Sequence, residues 1–205
     1  MNRHEIRVLS VVLVLALSIA LRAGAQTGGH GGPVTLRPFQ LDRSVVYSDL
    51  KELFTRSDAI IVGRTLAYRA HLADDKQNVM TDFQVAVQEA VKGQVRPGDV
   101  VTVRLPGGGH RFDDGSMIYS YANYYHPARN GEIHVFFLKR AATGLRQFEM
   151  CGGPQSHFRL DFANDKVVPA DTMLRDPLVQ KYKGSSIRDF LRGIHRIESS
   201  PGVHK

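Results

Sequence analysis

Cysteine and tryptophan are scarce in this sequence: 205 residues include one cysteine and no tryptophan. A single cysteine excludes a framework of disulfide bonds within the chain and a zinc site built mainly from thiolates. The chain also contains no G-x-S-x-G, H-E-x-x-H or P-loop sequence, so the enzyme classes that depend on them receive no support. Hydrophobic residues make up 42% and charged residues 23%, which excludes collagen-like, coiled-coil and wholly disordered classes.

The first 25 residues have the pattern of a secretory signal peptide. Two arginines supply a positive start, an apolar run covers residues 8–21, and Ala-Gly-Ala at 23–25 offers the small residues that a signal peptidase reads. The run is shorter than the ~20 residues that a membrane-spanning helix needs. We therefore expect cleavage between Ala25 and Gln26, no transmembrane segment afterwards, and a secreted or periplasmic product. Cleavage would lower the net charge from +7 to +5, because it removes three arginines and one glutamate.

The remaining chain divides into three parts. Residues 26–46 begin with a glycine-rich stretch that has little to bury, which predicts a flexible linker. Residues 47–169 carry strand patterns and are predicted to form one β-barrel domain. Residues 170–205 change to a helical period and are predicted to form a helical C-terminal appendage.

Strand signals recur through the predicted barrel domain. Residues 81–91 alternate apolar and polar side chains, as a half-buried strand does, and residues 133–138 are nearly all apolar, as in a central strand. Gly63, inside the β-branched run 59–66, predicts a bulge of the kind that lets a sheet curl into a barrel. The count is five or six strands with short connections, which predicts a mainly β protein with a small, antiparallel closed barrel.

Two helices are expected at the borders of the barrel. Leu50, Leu53 and Phe54 follow helical spacing behind Ser48, the predicted N-cap of a short helix. Near the C-terminus, Ser186 and Asp189 form a variant of the capping box. The amphipathic helix that follows is expected to pack on the barrel, or alternatively to lie on a membrane surface. Its apolar stripe is Ile187, Phe190, Leu191 and Ile194, and its basic residues are Arg188, Arg192, His195 and Arg196.

Several short motifs occur in a recognisable order: SDAIIVG at 57–63, VKG at 91–93, Gly131-Glu132, and FEMCG at 148–152. This skeleton resembles the netrin-like module of tissue inhibitors of metalloproteinases, and more closely the exported, uncharacterised bacterial proteins of that type. The resemblance covers about residues 50–160 and implies an OB-like five-stranded barrel. The inhibitors chelate the zinc of their target through an N-terminal cysteine, whereas the expected mature N-terminus here is Gln26. Inhibition by zinc chelation is therefore not expected.

The long connection 107–131 is the candidate binding surface. OB-type barrels often bind oligosaccharides or oligonucleotides through aromatic and cationic side chains. Export argues against a nucleic acid, which leaves an unknown protein or an anionic polymer of the cell envelope as the partner, with no cofactor. The alternative is that the tyrosines only pack as a lid over the barrel mouth. The candidate residues are Tyr119, Tyr121, Tyr124, Tyr125, Arg111 and Arg129.

Two rival hypotheses rest on other residues. His110, Asp113, Asp114 and His126 could serve a small metal-dependent hydrolase, unless they belong to an ordinary polar loop. Cys151 is the only thiol and has three interpretations: an inert core residue, a nucleophile paired with His157, or the link in a disulfide-bonded dimer of an envelope structural protein. The leading hypothesis is a secreted, non-enzymatic binding module.

Overall fold

The computed structural model describes residues 32–38, 45–122, 125–142, 144, 146–172 and 176–200. The predicted signal peptide, its cleavage site between Ala25 and Gln26, and Tyr124 lie outside the described residues. The described strands are β1 (Val34–Pro38), β2 (Ala59–Leu72), β3 (Val79–Lys92), β4 (Val100–Pro106), β5 (Gly108–Arg111), β6 (Met117–Tyr121), β7 (Ile133–Arg140), β8 (Gln147–Met150), β9 (His157–Asp161) and β10 (Lys166–Pro169). The described α-helices are α1 (Leu50–Arg56), α2 (Pro177–Tyr182) and α3 (Ile187–Glu198).

Five of these strands close into a barrel, which confirms the mainly β, barrel-forming prediction. Around the ring the order is β2, β3, β4, β8 and β7, and β7 returns to β2. The expectation of a wholly antiparallel barrel is wrong, because β4 and β8 pair in parallel. The reason is geometric: strand directions cannot alternate all the way around a ring with an odd number of strands, so at least one neighbouring pair must be parallel.

The predicted irregularity at Gly63 is present. The pairing of β2 with β3 shifts register between Val62 and Gly63. A Cβ atom at Gly63 would collide with Cγ1 of Val85 on the neighbouring strand. Gly63 therefore lets the two strands approach closely where β2 bends, as bulged positions in barrels require.

Two apolar clusters lie on opposite faces of the curved sheet, and β7 contributes to both. Phe136 and Leu138 belong to the cluster that collects side chains from all five barrel strands, so it fills the barrel interior. Val135 and Phe137 alternate to the outer face, where the helices cover them. Because both faces of β7 are buried, its nearly continuous apolar sequence is explained.

The helices pack on this outer face. Phe190 and Ile194 of α3 share one cluster with Phe54 of α1 and Phe158 of β9, so the predicted C-terminal appendage contributes to the core. The apolar stripe of α3 is thus occupied by the protein itself, against the membrane-surface alternative. In the described part of the chain, no helix is long and apolar enough to cross a membrane.

Of the two predicted N-caps, Ser186 is confirmed and Ser48 is wrong. Ser186 caps α3 as predicted, because its Oγ accepts a hydrogen bond from the Asp189 amide at 3.1 Å. The N-cap of α1 is Asp49 rather than Ser48, since Asp49 Oδ1 accepts from the Glu52 amide at 2.9 Å. Ser48 lies one residue further out and donates from its hydroxyl to the Glu52 carboxylate.

A small second sheet consists of β1, β6 and β5 in that order. The β5–β6 hairpin is part of the long connection between β4 and β7. Strand β1 pairs in parallel with β6, so residues 34–38, predicted as part of a flexible linker, instead form a strand. This sheet stands beside the ends of β2, β3 and β4, where it forms one side of a cavity.

Candidate functional site

A cavity of about 550 Å³ lies between the β5–β6 hairpin, the strand ends next to it and the segment 125–130. Its volume is in the range of pockets that hold small ligands. Five aromatic residues line its described part, and they come from β2, β3, β6 and the segment after β6. The aromatic and charged residues of the described lining are Tyr68, Phe83, Tyr119, Tyr121, Tyr125 and Arg129.

The alternation of β6 explains why two tyrosines face the cavity. Ile118 and Ser120 are buried, whereas Tyr119 and Tyr121 are 45% and 36% exposed. The two exposed rings stack with their centroids 6.4 Å apart and their planes 25° apart. The buried Ser120 fixes the strand, because its Oγ accepts a hydrogen bond from the Val79 amide at 3.0 Å. The sequence of β6 thus both anchors the hairpin and aims a pair of rings outward.

Glycines 107–109 make room for the hairpin beside β3. Thr81 Oγ1 donates to the carbonyl of Gly107 at 2.6 Å. Gly108 has φ of 123°, and a Cβ there would collide with the Thr81 hydroxyl. A Cβ at Gly109 would lie 3.2 Å from the ring of Tyr119. This glycine run therefore lets backbone and ring lie close together along one wall of the cavity.

The predicted binding residues are only partly brought together. Tyr119, Tyr121, Tyr125 and Arg129 all line the cavity. Arg111 does not, because it lies at the other end of the hairpin, where its guanidinium donates to the sulfur of Met117 at 3.4 Å. The lid-packing alternative applies to Tyr125, which is 7% exposed, but not to the half-exposed rings of β6.

Sequence reasoning missed two aromatic members of the site, Tyr68 and Phe83. They face each other across the β2–β3 pairing with ring centroids 5.7 Å apart. Phe83 is buried, but Tyr68 is 59% exposed on a strand whose first half is buried. The signal available in the sequence is an aromatic residue beyond the continuous apolar run 59–62, in the half of the strand where small and polar residues interrupt the apolar ones.

Arg129 supplies the charge of the described part of the cavity lining. Among the lining residues that the structure describes there is no carboxylate, and Arg129 is the one charged residue. The Arg129 guanidinium is exposed and forms no ion pair within the described residues, although its backbone amide donates to Glu132 Oε2 at 2.9 Å. The electrostatics of the described lining therefore favour a ligand with a negative group.

A chain of buried polar groups begins at the cavity wall. The hydroxyl of Tyr125 lies 3.5 Å from Nδ1 of His157. Nε2 of His157 is 2.8 Å from Nδ1 of His134, and Nε2 of His134 is 3.2 Å from the Glu132 carboxylate. Arg159 lies 3.8 Å from the other carboxylate oxygen of Glu132. The chain thus links the cavity to the surface, because Tyr125 lines the cavity and Glu132 and Arg159 are partly exposed.

The hydrogen-bond directions in this chain follow from its end. An ionised Glu132 can only accept, so Nε2 of His134 donates to it and Nδ1 of His134 must accept. His157 then donates from Nε2, and its Nδ1 can accept from the Tyr125 hydroxyl, which has the sulfur of Met150 as a second acceptor at 3.7 Å. In this arrangement each imidazole is neutral, and each has a hydrogen-bond partner for its donating and for its accepting nitrogen.

Burial keeps both imidazoles neutral. The pKa of His157 lies well below its ordinary value, first because burial removes water from the ring and second because His134 is beside it. The pKa of His134 is also lowered by burial, although hydrogen bonding to Glu132 opposes the shift. The same hydrogen bond lowers the pKa of Glu132. Burial and the nearby Asp171 raise the pKa of Tyr125, so its hydroxyl stays protonated.

The predicted metal site is not assembled. Among the residues that the structure describes, no group of three His, Cys, Asp or Glu side chains lies close enough together to hold a metal ion. His110 instead packs edge-on against Phe112, with centroids 5.0 Å apart. Asp114 accepts from the amide and the hydroxyl of Ser116, which lowers its pKa, and Asp113 lies in the same exposed turn. His126 is exposed and belongs to the segment that lines the cavity. His110 thus lies in β5, Asp113 and Asp114 lie in the exposed turn that follows it, and His126 lies in the segment after β6.

Cys151 lies in the core under the helices and is fully buried. Its Sγ is 3.5 Å from the hydroxyl of Tyr47. Both ring nitrogens of His157 have other partners, so His157 does not act as a base for this thiol. A disulfide between two copies would require the thiol to leave the core. The geometry therefore favours the inert core thiol over both the nucleophile and the dimer link.

The candidate site is thus a cavity lined with aromatic rings, in which Arg129 is the one charged group among the described lining residues, with a neutral histidine pair behind it. Comparison of this chain with known protein families, with curated proteins and with solved structures gives no match.

Proposed function

We propose that this protein is an exported, non-enzymatic binding module that holds its ligand in the tyrosine-lined cavity. The observation that carries the proposal is the set of three exposed rings, Tyr68, Tyr119 and Tyr121, around a preformed cavity of about 550 Å³. Tyrosine provides a large, rigid contact area with a polar end at a small cost in side-chain entropy, which is why it is frequent in binding sites. Exposed apolar side chains that cluster, rather than occur singly, mark ligand-binding grooves and interaction sites on soluble proteins.

The strand order supports an OB-like barrel. In chain order, the five barrel strands pair as first with second, second with third, third with fifth, fifth with fourth, and fourth with first. A five-stranded Greek-key barrel is the architecture of the OB-fold, as the resemblance to the netrin-like module implies. OB-folds bind ligands beside their second and third strands. Here those strands are β3 and β4, and Phe83 and Pro106 from them line the cavity.

The buried histidine chain does not turn the cavity into a catalytic site. A nucleophile or general base needs a pKa near the working pH. The pKa of the Tyr125 hydroxyl is raised, and that of His157 is lowered by burial, so neither group is poised to exchange a proton with a ligand. The hydrogen bonds that run from Tyr125 through His157 to His134 are better suited to hold Tyr125 in place as part of the cavity wall.

Export is the second part of the proposal, and the N-terminal sequence pattern supports it. A purified product that begins at Gln26 after expression in a secreting host would bear out the proposed cleavage. A product that retains residues 1–25 in the cytoplasm would contradict it.

The binding proposal is tested by saturation-transfer NMR with three separate probe mixtures: oligosaccharides, short peptides and small organic acids. We expect signals from one mixture that disappear in the double variant Tyr119→Ala/Tyr121→Ala. The matched control is Phe162→Ala, which removes an aromatic residue that is 61% exposed and does not line the cavity. No signal from any mixture, or a signal that survives the double substitution, would overturn the proposal.

A further inference from the structure

We infer that the ligand of this cavity is an oligosaccharide that carries a carboxylate, such as a single uronic acid; this inference rests on the proposed binding function. Three properties of the cavity lead to this inference. They are its open rim, formed by Tyr68, Tyr119 and Tyr121, the unused polar groups on that rim, and the guanidinium of Arg129 as the one charge of the described lining.

The rim is open, which favours a ligand with one apolar face and a polar outer side. Tyr68, Tyr119 and Tyr121 are each between about a third and two thirds exposed. A wholly apolar ligand would leave much of its own surface in water there. A sugar ring presents C–H bonds on one face, which the negative face of a tyrosine ring attracts, and carries hydroxyls around its edge that remain hydrated.

Unused hydrogen-bonding groups surround these rings. The hydroxyls of Tyr68, Tyr119 and Tyr121 form no hydrogen bond within the part of the chain that the structure describes. The side chain of Asn130, which also lines the cavity, is similarly available. In contrast, the hydroxyls of Thr81 and Ser120 are already engaged by the backbone. The available groups are thus on the rim, where the hydroxyls of a sugar would meet them.

Arg129 determines the charge of the ligand. Its guanidinium has no internal carboxylate partner within the described residues, and the described lining contains no acidic group to repel an anion. A guanidinium forms two parallel hydrogen bonds with a carboxylate, which gives direction as well as affinity. A nucleic acid is disfavoured because its binding groove needs several cations along the backbone, and the described lining offers one. A highly charged polyanion is disfavoured for the same reason.

The size of the cavity is consistent with a short stretch of such a chain. About 550 Å³ lies in the range of pockets that enclose drug-sized ligands, which corresponds to roughly two or three sugar rings. The stacked pair Tyr119 and Tyr121 extends along β6, so neighbouring sugars can rest on neighbouring rings. A longer polymer would continue past the rim into solvent.

The test is calorimetric titration with short oligosaccharides that each contain one uronic acid, every one paired with its carboxyl-reduced, neutral counterpart. We expect an acidic member to bind and its neutral counterpart to bind roughly tenfold to a hundredfold more weakly, as loss of a charge-assisted hydrogen-bonded pair predicts. Arg129→Gln should abolish this preference. Arg188→Gln, which removes an exposed arginine of α3 away from the cavity, should retain it.

If an acidic oligosaccharide binds, two outcomes would still overturn the inference. The first is equal binding of the acidic and neutral members, and the second is a preference that survives in Arg129→Gln. If the oligosaccharides do not bind while peptides or organic acids give tyrosine-dependent signals, the ligand class is wrong and the proposed binding function stands. If no component of the three mixtures binds, the proposed binding function and the inferred ligand class are both wrong.

Discussion

Acidification from pH 7 to pH 5 should destabilise the protein, because His134 and His157 are buried as neutral imidazoles. Their pKa values in the folded protein are lowered, His157 the more strongly. In the unfolded chain both rings would titrate near pH 6.5. Below that pH the unfolded state binds more protons than the folded state, so the free energy of unfolding falls as the pH falls.

The magnitude follows from the linkage relation. A histidine that stays neutral in the folded state loses about 1.9 kcal/mol of stabilisation between pH 7 and pH 5. His134 is partly compensated by Glu132, which favours its charged form, so the pair together should cost about 2 to 4 kcal/mol. The carboxylates contribute little in this window, because their ordinary pKa values lie near 4.

The assay is urea unfolding at pH 7, 6 and 5, followed by circular dichroism. His157→Gln keeps a donor for His134 and an acceptor for Tyr125 but does not titrate. It should be less stable at pH 7, since the stacking of His157 on Phe136 is lost, yet its stability should change less with pH, by about 1.9 kcal/mol over the window. His126→Gln, which removes an exposed imidazole, is the matched control and should follow the wild type. An unfolding free energy that is the same at pH 5 and pH 7, or an equal pH dependence in His157→Gln, would refute the reasoning.

Three further predictions test the fold. Gly63→Ala should lower the free energy of unfolding by about 1–3 kcal/mol in urea, because its Cβ would collide with Val85 where β2 bends; unchanged stability would contradict the close approach. Ser186→Ala should cost about 1 kcal/mol by removing the N-cap of α3, whereas Ser200→Ala at the other end of that helix should cost little; equal effects would contradict the capping role. Cys151 should react with a thiol reagent only after the protein is unfolded in urea, since it is fully buried; rapid reaction of the native protein, or a dimer on a non-reducing gel that Cys151→Ser abolishes, would show that the thiol is accessible.

Local features of the fold were predictable from the sequence because they depend on neighbours in the chain. The alternation in β3, the bulge at Gly63 and the cap of α3 at Ser186 are all encoded within a few residues. The parallel pairing of β4 with β8 was not predictable in this way. It depends on which distant strands close the ring, and no local pattern records that choice.

In the candidate site, too, residues that are close in the sequence could be predicted, and residues brought together by strand pairing could not. Tyr119 and Tyr121 could be identified because they cluster within one connection. The histidine chain could not, because the pairing of β7 with β9 brings His157 beside His134 from 23 residues away. One signal was available: His134 is the single polar residue in the apolar run of β7, and a buried polar side chain requires a partner.

The central claim is that ligand binding takes place on the tyrosine rim, and NMR of ring-labelled tyrosines tests it most directly. The acidic oligosaccharide that binds best is titrated into the labelled protein, and the seven tyrosine signals are followed. We predict saturable shifts for Tyr68, Tyr119 and Tyr121. We predict none for Tyr47, which lies in the apolar cluster on the outer face of the sheet, or for Tyr182 of α2, which packs against that cluster. Shifts confined to Tyr47 or Tyr182, or no saturable shift at the three rim tyrosines, would contradict it.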